Sequence, residues 1–157
     1  MALTACKDMT NTVQVTGALS FKMNAPGETF GIAGLTDQIP IAYESCGDIE
    51  VAAGQMTFAA NATWLNGTNV TVRGEGKLKV AAGGTFGKHA VLRFSESGTF
   101  ELPAGERQKV AECWVNGVKV EDGIYSAADL KSGDPLYGHL MGGTLQVGKL
   151  GGLLLVR

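Results

Sequence analysis

Residues 72–105 read VRGEGKLKVAAGGTFGKHAVLRFSESGTFELPAG, and one phrase occurs in them twice. GKLKVAAGGTF is followed, after a short gap, by GTFELPAG. The repeat extends upstream. Gly54, Gly76 and Gly98 are spaced by 22 residues. Each precedes an alternating triplet, Met56-Thr57-Phe58, Leu78-Lys79-Val80 and Phe100-Glu101-Leu102, and each triplet runs into a corner of small residues. Before the glycines stand three more triplets, Ile49-Glu50-Val51, Val70-Thr71-Val72 and Leu92-Arg93-Phe94. Trp64 and Phe86 make a further column with the same spacing, which assigns Trp64 to the core.

Alternation of period two is the mark of a strand with one buried face. A longer period that returns the same apolar positions means units that stack, because one unit cannot bury its inward side chains alone. The two periods together predict an all-β fold, a parallel β-helix (β-solenoid) of about 22 residues per rung. Inward ladders are Ile49/Val70/Leu92, Val51/Val72/Phe94, Met56/Leu78/Phe100 and Phe58/Val80/Leu102, while Glu50/Thr71/Arg93 and Thr57/Lys79/Glu101 point outward. Glycines are expected at the corners, where a missing Cβ or a positive φ is useful.

One domain is expected over residues 1–157. Regular rungs fill 48–109. Residues 1–47 hold N-terminal rungs of the same grammar, seen in VTGALSF at 15–21. Gly17 and Gly54 are 37 residues apart, one period plus about 15, which places an insertion at about 31–46. Residues 110–157 form a hairpin cap and closing strands. Asn116-Gly117 between alternating apolar residues signals a two-residue hairpin. It pairs Val115 with Val118, Trp114 with Lys119 and Cys113 with Val120, so that Cys113, Val115, Val118 and Val120 share an apolar face. SAADL at 126–130 is expected to form a short helical turn, and the Leu153–Val156 run is read as buried or paired with a neighbour.

Composition narrows the class. Glycine supplies 23 of 157 residues and proline only 4, which fits many turns between short strands rather than a disordered linker. A chain of this length buries roughly 70% of its unfolded surface and needs neither metal nor disulfide to fold. Net charge is −2 without a Lys/Arg cluster, so nucleic acid is not an expected partner. No apolar run is long enough for a membrane helix. The opening MALTACKDMTNT lacks the basic and apolar regions of a secretion signal. It fits either a cytosolic protein or a part of a longer secreted one, and we take the second. Cys6, Cys46 and Cys113 fit no zinc spacing. The alternatives are a Cys6–Cys46 bridge and three buried apolar cysteines.

The order of a rung, a strand ending in the Asn116-Gly117 hairpin, the element DGIYS at 122–126 and the strand GGTLQV at 142–147 resembles a known group. It is similar to the C-terminal ends of large secreted β-strand-repeat proteins, the autotransporter-like β-helix proteins of Planctomycetes–Verrucomicrobia–Lentisphaerae-type bacteria. The resemblance covers about residues 48–147 and departs at the N-terminus and at the LLLVR tail. It implies secretion, with the module following a polysaccharide-degrading enzyme or forming part of a surface protein. It carries over no catalytic residue.

No HExxH, GxSxG or phosphate loop is present. His89 and His139 read as exposed turn residues. Glu75 and Glu96, 21 residues apart, are expected as neighbours across rungs that splay into water; a calcium site there has no loop signature. Other carboxylates are not concentrated as an acid/base pair requires. The three Asn-X-Thr triplets at Asn61, Asn66 and Asn69 carry no weight. For sugar rings the candidates are Trp114, on the outward face of the hairpin, with Tyr125 and Lys119. The competing reading of Trp114 is a cap edge with the Lys119 stem laid over it. The expected function is a non-catalytic extracellular or cell-surface module that binds a polysaccharide or glycan, with no cofactor and no membrane insertion. The alternative is a structural module that self-associates through the solenoid ends. A polysaccharide lyase or glycoside hydrolase fragment is the weakest of the three.

Overall fold

The structure is a computed structural model, and it describes residues 13–15, 19–32, 41–43, 46–58, 62–64, 69–84 and 89–149. Their side chains are described over 21–31, 48–58, 69–84 and 89–149. The described residues are all-β, with no helix among them. SAADL makes a turn that is not part of a helix, closed by Asp129 N–H donating to the Ser126 carbonyl at 3.0 Å. The Leu153–Val156 run and Cys6 lie outside the described residues, as does most of the segment at 31–46 where an insertion was expected.

In chain order the strands are β1 (Val13–Val15), β2 (Leu19–Ile32), β3 (Ile41–Tyr43), β4 (Cys46–Phe58), β5 (Ala62–Trp64), β6 (Asn69–Val72) and β7 (Lys77–Val80). They continue with β8 (Val91–Phe94), β9 (Thr99–Val110), β10 (Glu112–Val115), β11 (Val118–Lys119), β12 (Gly123–Ser126) and β13 (Leu140–Val147). Three of them make a small parallel sheet, β1-β3-β5. The other ten form one curled, mixed sheet, a half-barrel, in the order β11-β10-β8-β6-β4-β7-β9-β13-β12 with β2 on β4.

Curling follows from the long strands. β4 pairs with β6 through Ile49–Val51 and with β7 through Gln55–Phe58, so it belongs to both arms and bends at Gly54, whose φ is +76°. The parallel partners are Ile49↔Val70↔Leu92↔Cys113 on one arm and Met56↔Leu78↔Phe100↔Leu140 on the other. Each member of both rows is at most 3% exposed. Burying a side chain of this size contributes about 1.5–3 kcal/mol, and Val51↔Val72↔Phe94 and Phe58↔Val80 are buried as deeply, so the inward rows together are the main source of cohesion. The register between β2 and β4 runs with larger steps, Phe21↔Ile49 and Phe30↔Met56, and the corner at Ala25–Glu28 lies against Gly54.

The corners stack as tightly as the strands. A Cβ on Gly76 would lie 2.2 Å from the Val51 carbonyl oxygen, and one on Gly98 2.3 Å from that of Val72. Backbone hydrogen bonds carry the ladder around the bend, from Arg73 N–H to the Val51 carbonyl at 3.0 Å and from Ser95 N–H to the Val72 carbonyl at 3.1 Å. After β10 the chain turns at Asn116-Gly117, with φ of 49° and 80°, the two positive values of a type I′ hairpin. The expected pairs Val115↔Val118 and Trp114↔Lys119 form. Val118 does not join the apolar face: it is 70% exposed, because β11 is the edge strand and nothing described packs over it.

Candidate ligand-binding strip

Where the inward rows are apolar, the alternate positions on β4, β6, β8 and β10 must face out. They are Asp48 and Glu50, then Asn69 and Thr71, then Val91 and Arg93, then Glu112 and Trp114. Parallel strands lie roughly 4.8 Å apart, close enough for side chains of one row to bond. Asn69 Nδ2 donates to Asp48 Oδ1 at 3.0 Å, and Arg93 Nη1 donates to Asn69 Oδ1 at 2.9 Å. Glu50 accepts from Arg73 Nε at 2.8 Å and pairs with Lys22 Nζ at 3.0 Å. These two cations hold the Glu50 carboxyl below its usual value, Lys22 having the larger effect. A shallow groove of about 360 Å³ runs over Asp48, Glu50, Asn69, Thr71 and Arg93.

Trp114 stands on the next strand directly beside Arg93, which lines this groove. Its indole N–H donates to Glu112 Oε2 at 3.0 Å. Lys119 Nζ lies 2.9 Å from Glu112 Oε1 and 5.9 Å from the indole ring centroid. The ring is thus fixed by a hydrogen bond along the strand and a cation across the hairpin. Lys119, and then the indole N–H, lower the pKa of Glu112. Glu112 was not among the sequence candidates. Its signal was present: it stands two residues before Trp114, on the same face, with Lys119 across the turn.

Of the three expected ligand residues, the structure brings Trp114 and Lys119 together, and Tyr125 takes no part in that contact. Tyr125 lies on β12, partly buried against the apolar cluster, and its hydroxyl donates to the Glu121 carbonyl at 2.9 Å. Burial, and then nearby Glu121, raise its pKa. Cys113 points inward, the reverse of Trp114, and burial pushes its thiol up to about 12. It is free. The Cys46 side chain, Trp64 side chain and Phe86 lie outside the described set.

One expectation is corrected. His139 is buried, not an exposed turn residue: its Nδ1 lies 2.8 Å from the Gly98 carbonyl, and its ring stacks on Phe94 at 5.3 Å. A carbonyl only accepts, so Nδ1 carries the proton. Glu75 and Glu96 are exposed on adjacent corners, as expected, one position out of register. The register Val72↔Phe94 continues into the turn and sets Glu96 beside Gly74 and Glu75 beside Ser97. Both Gly74 and Glu96 have positive φ, 55° and 58°. Among the described residues no three His, Cys, Asp or Glu side chains come together as a metal site would need. A second groove, of about 540 Å³, follows the corner past Glu28, Gln55, Glu75, Lys77 and Ser97.

Comparison with protein-family models, with curated proteins and with solved structures found no match.

Proposed function

We propose that this chain is a non-catalytic β-solenoid module, of about 22 residues per rung, that binds a glycan along the outward strip ending at Trp114. The steps of 21 and 22 residues between in-register partners support the solenoid reading. One observation carries the function: a pre-oriented indole beside Arg93, which lines a groove of carboxylate, amide, hydroxyl and guanidinium groups. Sugar rings offer apolar C–H faces and hydroxyls that both donate and accept. An aromatic plane with fixed polar groups beside it is the complement, and its rigidity lowers the ordering cost of binding. The resemblance to secreted β-strand-repeat proteins fits an extracellular or cell-surface setting, beside a polysaccharide-degrading or surface-anchored partner domain.

The test is affinity electrophoresis of the full chain through gels containing neutral soluble plant and algal polysaccharides. Retardation by at least one of them is expected, and Trp114→Ala should weaken it by roughly tenfold, about 1.4 kcal/mol. Retardation that survives Trp114→Ala unchanged removes the strip from the reading, and no retardation by any matrix removes the glycan.

A second reading, a structural module that stacks on copies of itself, draws on Phe30. It belongs to the inward row Phe30↔Met56↔Leu78↔Phe100, yet it is 40% exposed where the other three are fully buried. Phe30→Asp should then lower the solution mass measured by light scattering. A monomeric mass for the parent chain would end this reading.

A further inference from the structure

We infer that the C-terminal half of β9, with the facing part of β13, is a separate binding site for an anionic glycan bearing carboxylate or sulfate groups. Charge compensation points there. Of the cations carried on the strands, Lys22 pairs with Glu50, Lys79 with Glu101 at 2.6 Å and Lys119 with Glu112, while Arg93 donates to Asn69. Each is answered by a side chain on a neighbouring strand or across the hairpin. Lys77, between Gln55 and Thr99, is not, and it stands singly; Arg107 and Lys109 are not, and they form a pair on one strand. Both are exposed on β9, they alternate with buried Gln108 and Val110, and neither has a side-chain partner among the described residues.

The register explains why. Arg107 stands opposite Thr144, and Lys109 opposite Gln146, so the neighbouring strand supplies a hydroxyl and an amide where a carboxylate would neutralise the pair. β12 continues the row with Ser126 and Ile124 rather than with acids. The nearest acid in sequence, Glu106, lies at the corner on the alternate position. Two residues along a strand separate the two cations by about 7 Å. A guanidinium presents a planar fork for one oxyanion, and the ammonium reaches a second. Thr144 and Gln146 add neutral donors and acceptors for the hydroxyls between acidic groups. The strands fix the spacing of the four backbone positions. An extended nucleic acid would need a wider basic footprint than one pair.

These residues are carried on β9 and β13 and Trp114 on β10, so the two readings are told apart by variant: Trp114→Ala should leave retardation by a polyanion within about twofold. The experiment is affinity electrophoresis of the full chain through gels containing polygalacturonate, dextran sulfate or neutral dextran, each scored against a matrix-free gel. Retardation by polygalacturonate or dextran sulfate and not by dextran is expected, and the stronger of the two identifies carboxylate or sulfate as the preferred group. Arg107→Gln with Lys109→Gln should weaken it by at least about tenfold. Lys131→Gln with Lys149→Gln removes the same charge elsewhere on the surface and should leave it within about twofold. Equal losses in the two double variants would reduce the effect to net charge and overturn the site. So would no retardation by either polyanion, or dextran retarding as strongly. Unchanged urea midpoints in both variants secure the comparison.

Discussion

Replacing Gly98 by alanine tests the stacked corner directly. The new Cβ would sit 2.3 Å from the Val72 carbonyl oxygen, 2.5 Å from its carbon and 2.8 Å from the Arg73 nitrogen. Ordinary contacts begin near 3.4 Å, and all three atoms are backbone, so no side-chain rotation relieves the clash. The Val72 carbonyl has to retreat, and it is the acceptor for Ser95 N–H. The adjacent bond from Thr99 N–H to the Gly76 carbonyl, at 3.0 Å, shares the displaced segment. Two weakened hydrogen bonds cost about 1 kcal/mol each, and the overpacking itself about 1–3 kcal/mol, giving about 3–5 kcal/mol in all. Gly105 is the control. Its φ is +82° but nothing lies within 4 Å of its Cβ position. Alanine there meets only the backbone preference, about 1–2 kcal/mol. Urea unfolding followed by tryptophan fluorescence should therefore rank Gly98→Ala as the more damaging by about 2–3 kcal/mol. If Gly105→Ala is equally or more damaging, the corners are not in contact and the stacking argument fails.

Two further outcomes follow from side chains between strands. Glu50 has a lowered folded pKa, so its stabilisation is present above its usual 4.5 and is lost as pH falls through the folded value. The parent should lose stability below about pH 4.5 more steeply than Glu50→Gln, by a few tenths of a kcal/mol, since Lys22 and Arg73 are 61% and 43% exposed; parallel pH profiles of the urea midpoint would refute this. His139→Phe keeps the stack on Phe94 but removes the donor to the Gly98 carbonyl, which should cost about 1–3 kcal/mol. A variant as stable as the parent in urea would show that the hydrogen bond contributes nothing.

The repeat was legible because it is redundant. Each inward position is occupied several times by the same kind of residue, as in Ile49, Val70, Leu92, and each corner by the same small residues. Asn116-Gly117 was legible for a different reason: two positive φ values leave few residue choices. What the sequence hid depends on register to a single residue. Glu75 and Glu96 look like one row from their spacing, yet a one-position offset puts Ser97 beside Glu75. His139 lies in a segment with no period at all. Its burial comes from the 134–139 turn docking on Gly98 and Phe94, a contact that local pattern does not encode. Tyr125 was grouped with Trp114 as a loop aromatic, but β12 pairs antiparallel with β13 and turns Tyr125 toward the core.

Parallel in-register strands impose a further rule that makes the outer surface interpretable. Residues of one outward row stand roughly 4.8 Å apart, so a row of like charges repels itself at every step. The chain avoids this by alternating sign or interposing an amide: Lys22 beside Glu50 and Arg73, Asp48 beside Asn69 and Arg93, Lys79 beside Glu101. Charge paired in this way is explained by stacking alone and carries no information about ligands. The informative groups are those that stacking leaves over. Trp114 is one, since an indole held by Glu112 and Lys119 adds nothing to an inward row. Arg107 and Lys109 are the other, a pair of cations on one strand that faces only Thr144 and Gln146, where the single Lys77 lies between Gln55 and Thr99.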